Sequence, residues 1–229
     1  MGFLLGLYMV AVLVAAPLVA WAGSAALTTM PRARVYRAGI ASSWLLALIG
    51  AAILWWDGRL RPADVGLVLL PPARLLGLSV ATTLALLAAA GLIGAMLRAA
   101  GRGESAALRH LVPRDPAERR LFALFAVTAG LTEEFIYRGV ALAALLRTSL
   151  FSGVAGPWAA ALVVALAFGM AHGYQRPEGM ARAALLGLVL AAPVLVGGSL
   201  LPGMIAHAAL DLSLLLPAAR RALGLEEQA

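Results

Sequence analysis

A chain of 229 residues that is 62% hydrophobic and 13% charged, with a mean hydropathy of +0.93, has too little polar surface to coat a soluble globule and is read as an integral membrane protein. The net charge of +7 would suggest nucleic acid in a soluble protein. Here the basic residues lie mostly in short segments between apolar runs, where positive-inside topology explains them, so no nucleic-acid partner is expected.

The chain has no cysteine, which excludes thiol catalysis, disulfides and thiolate metal sites. At about 1.5 Å rise per residue, a hydrocarbon core of about 30 Å needs roughly 20 apolar residues. Such runs lie at about 3–22, 38–56, 75–97, 120–147, 155–171, 183–200 and 201–217. The predicted fold is therefore all-α, a polytopic transmembrane helical bundle of about seven spans.

The first run includes Ala20-Trp21-Ala22, which could pass for a signal-cleavage site, but no basic residue precedes Arg32. A signal peptide wants a positive n-region, so this run is read as a retained helix with its N-terminus outside. Residues 57–74, with Pro62, Pro71 and Pro72, read as an outer connector, and 98–120 as the longest inner loop. In that loop Pro113-Arg-Asp-Pro116 followed by Glu118 predicts a turn and then a helix start. The last two runs are separated only by the Gly197-Gly198 to Pro202-Gly203 region, so a re-entrant hairpin fits the same residues.

Leaving Arg138 aside, this order places thirteen arginines on the inner side and four outside, which favours an N-out, C-in orientation. Trp55, Trp56 and Trp158 fall at outer ends, and Trp21, Tyr36 and Tyr174 at inner ones. The expected organisation is a first part over 1–117, with three spans free of interior charge and basic inner loops; a polar-studded part over 118–217; and a cytoplasmic tail over 218–229. The membrane with such a charge rule is most simply a prokaryotic plasma membrane.

Ionisable groups inside apolar spans mark functional sites by default. Three such islands occur: Glu133-Glu134 with Arg138, then His172, then His207 with Asp211. Residues four apart share a helix face, so Glu134 and Arg138 are expected to form a charge clasp that leaves Glu133 to face a cavity as a candidate general base. Asp211, one turn from His207, is expected to fix its tautomer by accepting the Nδ1 proton. A water held between Glu133 and His172 could be deprotonated and attack an amide carbonyl, with His207 donating to the oxyanion.

A metal reading is also open. Glu133, His172 and His207 match the ligand set of a catalytic zinc site, although the adjacent H-E-x-x-H pair is absent. One buried His, or one Glu–Arg pair, is more often a packing feature; three islands in order are harder to assign that way. His110 reads as solvated, and Arg119-Arg120 and Arg220-Arg221 as solvated or lipid-headgroup anchors. Counted along the helices, Glu133 and His172 differ in depth by some 10 Å, so the fourth helix must project or tilt if they meet.

These residues resemble the CAAX protease and bacteriocin-processing (CPBP, or Abi) intramembrane protease family, related to the type II CAAX prenyl endopeptidases. The motif E-E-x-x-x-R matches Glu133 to Arg138, F-x-x-x-H matches Phe168 to His172, and H-x-x-x-N/D matches His207 to Asp211. The resemblance spans about residues 118–217. It implies a multi-helix membrane fold with the site in a cavity, in which Glu133 and His172 activate water while His207 and Asp211 support the oxyanion.

The family is described both as metalloproteases and as metal-free glutamate proteases, so one divalent metal such as Zn2+ stays an open cofactor. The third motif ends here in Asp211 where well-studied members have Asn. An ionised Asp cannot donate to an oxyanion, so Asp211 is either protonated or orients His207. The implied partners are a membrane-associated protein or peptide substrate and the lipid bilayer. Two other functions fit the same residues: a non-catalytic immunity or scaffold protein that keeps the motif as a clasp, and a proton-coupled transporter.

Overall fold

The computed structural model describes residues 2–223 and 225. It is all-α, with no strand among the described residues. Helix α1 runs over Phe3–Ala22, with a π-helical turn at Ala11–Ala15; α2 is Arg32–Asp57 and α3 is Pro72–Ala99. A short α4 (Ala106–His110) lies in the predicted inner loop. Then α5 is α-helical over Pro116–Glu133, π-helical over Glu134–Ala141 and α-helical again over Leu142–Leu146. Helices α6 (Gly156–Ala171), α7 (Arg176–Gly197), α8 (Leu201–Ser213) and α9 (Pro217–Leu223) complete the order.

Among the described residues, Phe3–Ala22, Arg32–Asp57, Pro72–Ala99 and Gly173–Gly197 are long and apolar enough to cross a membrane. The remaining predicted spans differ in instructive ways. Gly156–Ala171 is apolar but shorter. The predicted 201–217 run is helical only to Ser213, because Leu214, Leu215 and Leu216 tighten into turn hydrogen bonds ahead of Pro217. At 13 residues, or about 20 Å, α8 is too short to span by itself. The tail predicted over 218–229 begins inside α9; residues 224 and 226–229 lie outside the described residues.

The start of α5 forms as its sequence dictates. Asp115 Oδ1 accepts from the Ala117 and Glu118 N–H groups, each at 2.8 Å, and Pro116 opens the helix without needing a donor. Helix α5 packs against α2 through Tyr36, whose ring meets Phe122 edge-on and stacks on Phe125. The Tyr36 hydroxyl donates to the Leu111 carbonyl at 2.8 Å, tying the inner loop to this pair. His110, expected to be solvated, instead packs with Nε2 2.9 Å from the Met30 carbonyl.

Small residues bring the helices of the second half together. A Cβ on Gly130 would lie 2.7 Å from the Ala208 nitrogen, and one on Gly169 would lie 2.5 Å from the Met180 carbonyl. Helices α5 and α8, and α6 and α7, therefore cross with backbones nearly in contact. Of the outer connector predicted over 57–74, residues 58–71 are non-helical and fold back with Val65 buried. The Leu200 N–H donates to the Gly66 carbonyl at 2.8 Å and Ser199 Oγ donates to the Val68 carbonyl at 2.7 Å. The connector thus props the tight α7–α8 turn, where Gly198 takes a φ of 73°.

Candidate active site

Glu133 ends the regular part of α5 and Glu134 opens its π-helical segment, a geometry found mostly as single turns at functional sites. Arg138 Nη1 donates to Glu134 Oε1 at 2.9 Å, and both side chains are almost wholly buried. Arg138 is held twice more. Its Nε donates to the Gly187 carbonyl at 3.2 Å, and its guanidinium carbon lies 4.2 Å from the Phe168 ring centroid. A Cβ at Gly187 would stand 2.5 Å from Arg138 Nη2, so the guanidinium fits only because α7 carries no side chain there.

The second histidine departs from the sequence reading. His207 Nδ1 lies 2.9 Å from Glu134 Oε1, whereas Asp211 Oδ2 stands 3.7 Å from the other nitrogen, Nε2. The group that orients His207 is therefore Glu134, on a different helix, and Asp211 does not accept the Nδ1 proton. A carboxylate oxygen accepts, so Nδ1 carries a proton and Nε2 faces outward between Asp211 and Glu133, whose Oε2 lies 3.9 Å away.

His172 follows the last residue of α6. Its Nδ1 donates to the Phe168 carbonyl at 2.8 Å, which leaves Nε2 as an acceptor. Phe168 is the common neighbour: its ring centroid lies 4.5 Å from that of His172, 6.0 Å from that of His207 and 5.1 Å from that of Tyr137. Glu133, His172, His207 and Asp211 all line one cavity of about 150 Å³ enclosed by α3, α5, α7, α8 and the end of α6. Glu133 and His172, about 10 Å apart in depth when counted along their helices, thus share one cavity. Glu133 Oε2 is buried and has no hydrogen-bond partner among the described residues.

Sequence reasoning missed two features of this cavity. The carboxylate of Glu134 bonds to an imidazole 73 residues away, and no local spacing encodes that. Arg182, counted among the inner-loop charges, is instead buried on α7, lines the cavity and pairs with Glu104. A charged residue one position before a predicted span was the only available signal.

This is an integral membrane helical bundle whose polar centre is built from α5, α6, α7 and α8. Residues 117–213 match the family model described as type II CAAX prenyl endopeptidase Rce1-like. That is the relationship carried by the three motifs, over the same part of the chain. No curated protein and no solved structure is matched by the chain.

Proposed function

We propose that the protein is an intramembrane endopeptidase that hydrolyses a peptide bond in a membrane-associated protein or peptide, with Glu133 as the general base. The observation that carries this reading is the convergence of Glu133 Oε2, buried and without a hydrogen-bond partner among the described residues, with two imidazoles whose Nδ1 positions are both occupied by acceptors. Each histidine is thereby fixed with Nε2 toward the reacting space.

Water held by Glu133 and His172 Nε2 loses a proton to Glu133 as its oxygen bonds to the amide carbon. The carbonyl becomes an oxyanion, and the C–N bond then breaks as Glu133 passes the proton to the departing amine. His207 serves the oxyanion by donating from Nε2, which requires a proton there as well as the one on Nδ1 that Glu134 accepts. Asp211 Oδ2, 3.7 Å from that nitrogen, lies beyond hydrogen-bond reach and takes no step of its own.

A metal could supply Lewis acidity to the same step. Among the described residues, however, no three His, Asp or Glu side chains stand together at a spacing that would hold one. Glu133 Oε2 and Asp211 Oδ2 stand 3.9 and 3.7 Å from His207 Nε2, beyond direct hydrogen bonds, and no step is routed through a metal. With the N-terminus outside, the membrane is a prokaryotic plasma membrane and the 98–115 side of the bundle faces the cytoplasm.

The test is cleavage of a membrane-peptide library by the detergent-solubilised protein. Wild type should cleave, and Glu133→Gln should reduce kcat by at least about 10³-fold at unchanged melting temperature. Equal cleavage by the mutant would remove Glu133 from the chemistry. Cleavage that survives chelation supports the glutamate-activated water; cleavage lost on chelation and restored by Zn2+ would replace it with a metal centre.

A further inference from the structure

The catalytic cavity contains one more buried charge that the chemistry above does not use. Arg182 stands near the start of α7 and only 6% of it is exposed, in a lining shared with Leu108, Leu111 and Leu186. Its guanidinium grips a carboxylate at two points: Nη1 donates to Glu104 Oε1, and Nη2 donates to Glu104 Oε2 at 3.0 Å. Nη2 also donates to Gln175 Oε1 at 3.2 Å. Among the described residues these bonds engage three of the five N–H donors of the fork.

The two partners stand on different backbone: a helix, and a non-helical segment that Arg102 also pins to α7 through Glu178. Arg182 is set on a long helix, whereas Glu104 belongs to the segment between α3 and α4, where Gly101 (φ 71°) and Gly103 flank Arg102. A guanidinium fork recognises any carboxylate in this geometry, and replacing one carboxylate by another never leaves the buried cation unpaired.

We propose that Arg182 anchors a carboxylate of the peptide substrate, and that Glu104 is the resident carboxylate which the substrate displaces. This rests on the endopeptidase reading and names what the peptide must present: a free C-terminal carboxylate, or an acidic side chain, within reach of Arg182 when the scissile bond lies at Glu133. Arg182 is a substrate-positioning residue and takes no part in bond breaking.

The experiment uses full-length Glu133→Gln protein in detergent and fluorescein-labelled hydrophobic decapeptides, read by fluorescence anisotropy. Each peptide is made with a C-terminal acid, with a C-terminal amide, and as the amide with one internal Asp. Charge-assisted hydrogen bonds predict that one carboxylate form binds at least about tenfold tighter than the plain amide. Preference for the C-terminal acid, or for the internal Asp, identifies the source of the carboxylate.

Glu104→Gln, which leaves Arg182 in place but weakens its resident partner, should tighten the carboxylate peptide severalfold and leave the amide unchanged. Arg182→Gln should abolish the preference. A merely structural pair would change both peptides alike. Equal affinity of all three peptides, or binding of none, overturns the proposal, and because nothing is cleaved in this assay either result leaves the endopeptidase reading standing.

Discussion

Glu134 Oε1 receives Arg138 Nη1 and faces His207 Nδ1, each at 2.9 Å, so a single buried oxygen joins the first motif to the third. Removing one member of such a group strands the others. Arg138→Ala is expected to lower stability by about 3–5 kcal/mol, read as a fall in melting temperature in detergent, because it leaves the fully buried Glu134 carboxylate without its cation. Asp211 is in a different position, facing His207 only across 3.7 Å. Asp211→Asn should therefore keep kcat/KM within about tenfold of wild type, a barrier change of about 1.4 kcal/mol or less. A much larger loss would return to Asp211 the orienting role that its sequence spacing suggests. At this scale the pairing of residues 134 and 138 was readable from helix periodicity alone. The Glu134–His207 and Glu104–Arg182 bonds were not, since they join residues 73 and 78 positions apart and depend on which helices become neighbours.

Helix α5 must hold its registry against α8 for that oxygen to reach both partners, and Gly130 sets the distance. A leucine there would drive its side chain into the Ala208 and Met204 backbones, with overpacking of about 1–3 kcal/mol or more. Cleavage by Gly130→Leu should fall further than the loss of folded protein accounts for, measured as activity per folded molecule. The connector contributes an acid-sensitive contact at the opposite end of α5. The Arg61 backbone N–H, with Arg147 beside it, holds the Asp64 carboxyl below the usual carboxylate value. This small contribution is complete above the ordinary Asp value near 4 and is lost as pH falls through the depressed one. Asp64→Asn should flatten the acid side of the melting-temperature profile, lying slightly below wild type at pH 7 and meeting it once pH has fallen below the depressed value. Most helices were legible as apolar runs, and the α5 start as Asp115-Pro116. The inward fold of the connector was hidden because proline and charge also describe a solvated loop. The early end of α8 was hidden because Leu214, Leu215 and Leu216 are as apolar as the helix before them.

At the scale of the whole molecule, the cysteine-free chain makes orientation directly measurable. Single cysteines at Gly58 and Gly103 are expected to react with a membrane-impermeant maleimide on opposite sides of intact cells, 58 from outside and 103 only after permeabilisation. The reverse pattern would invert the arginine-based topology. The bundle is also uneven in height. Helix α2 has 26 residues, about 39 Å, whereas α6 has 16, about 24 Å, and turns Trp158, Leu162, Leu166 and Met170 outward. Lipids bordering α6 meet a hydrophobic wall shorter than their own leaflets, and they must compress or tilt to cover it. A bilayer drawn thin along that one flank is therefore expected, a dimple of the protein's own making. Headgroups and water are drawn inward there, so thin bilayers of short-chain lipid should let it work faster than thick ones.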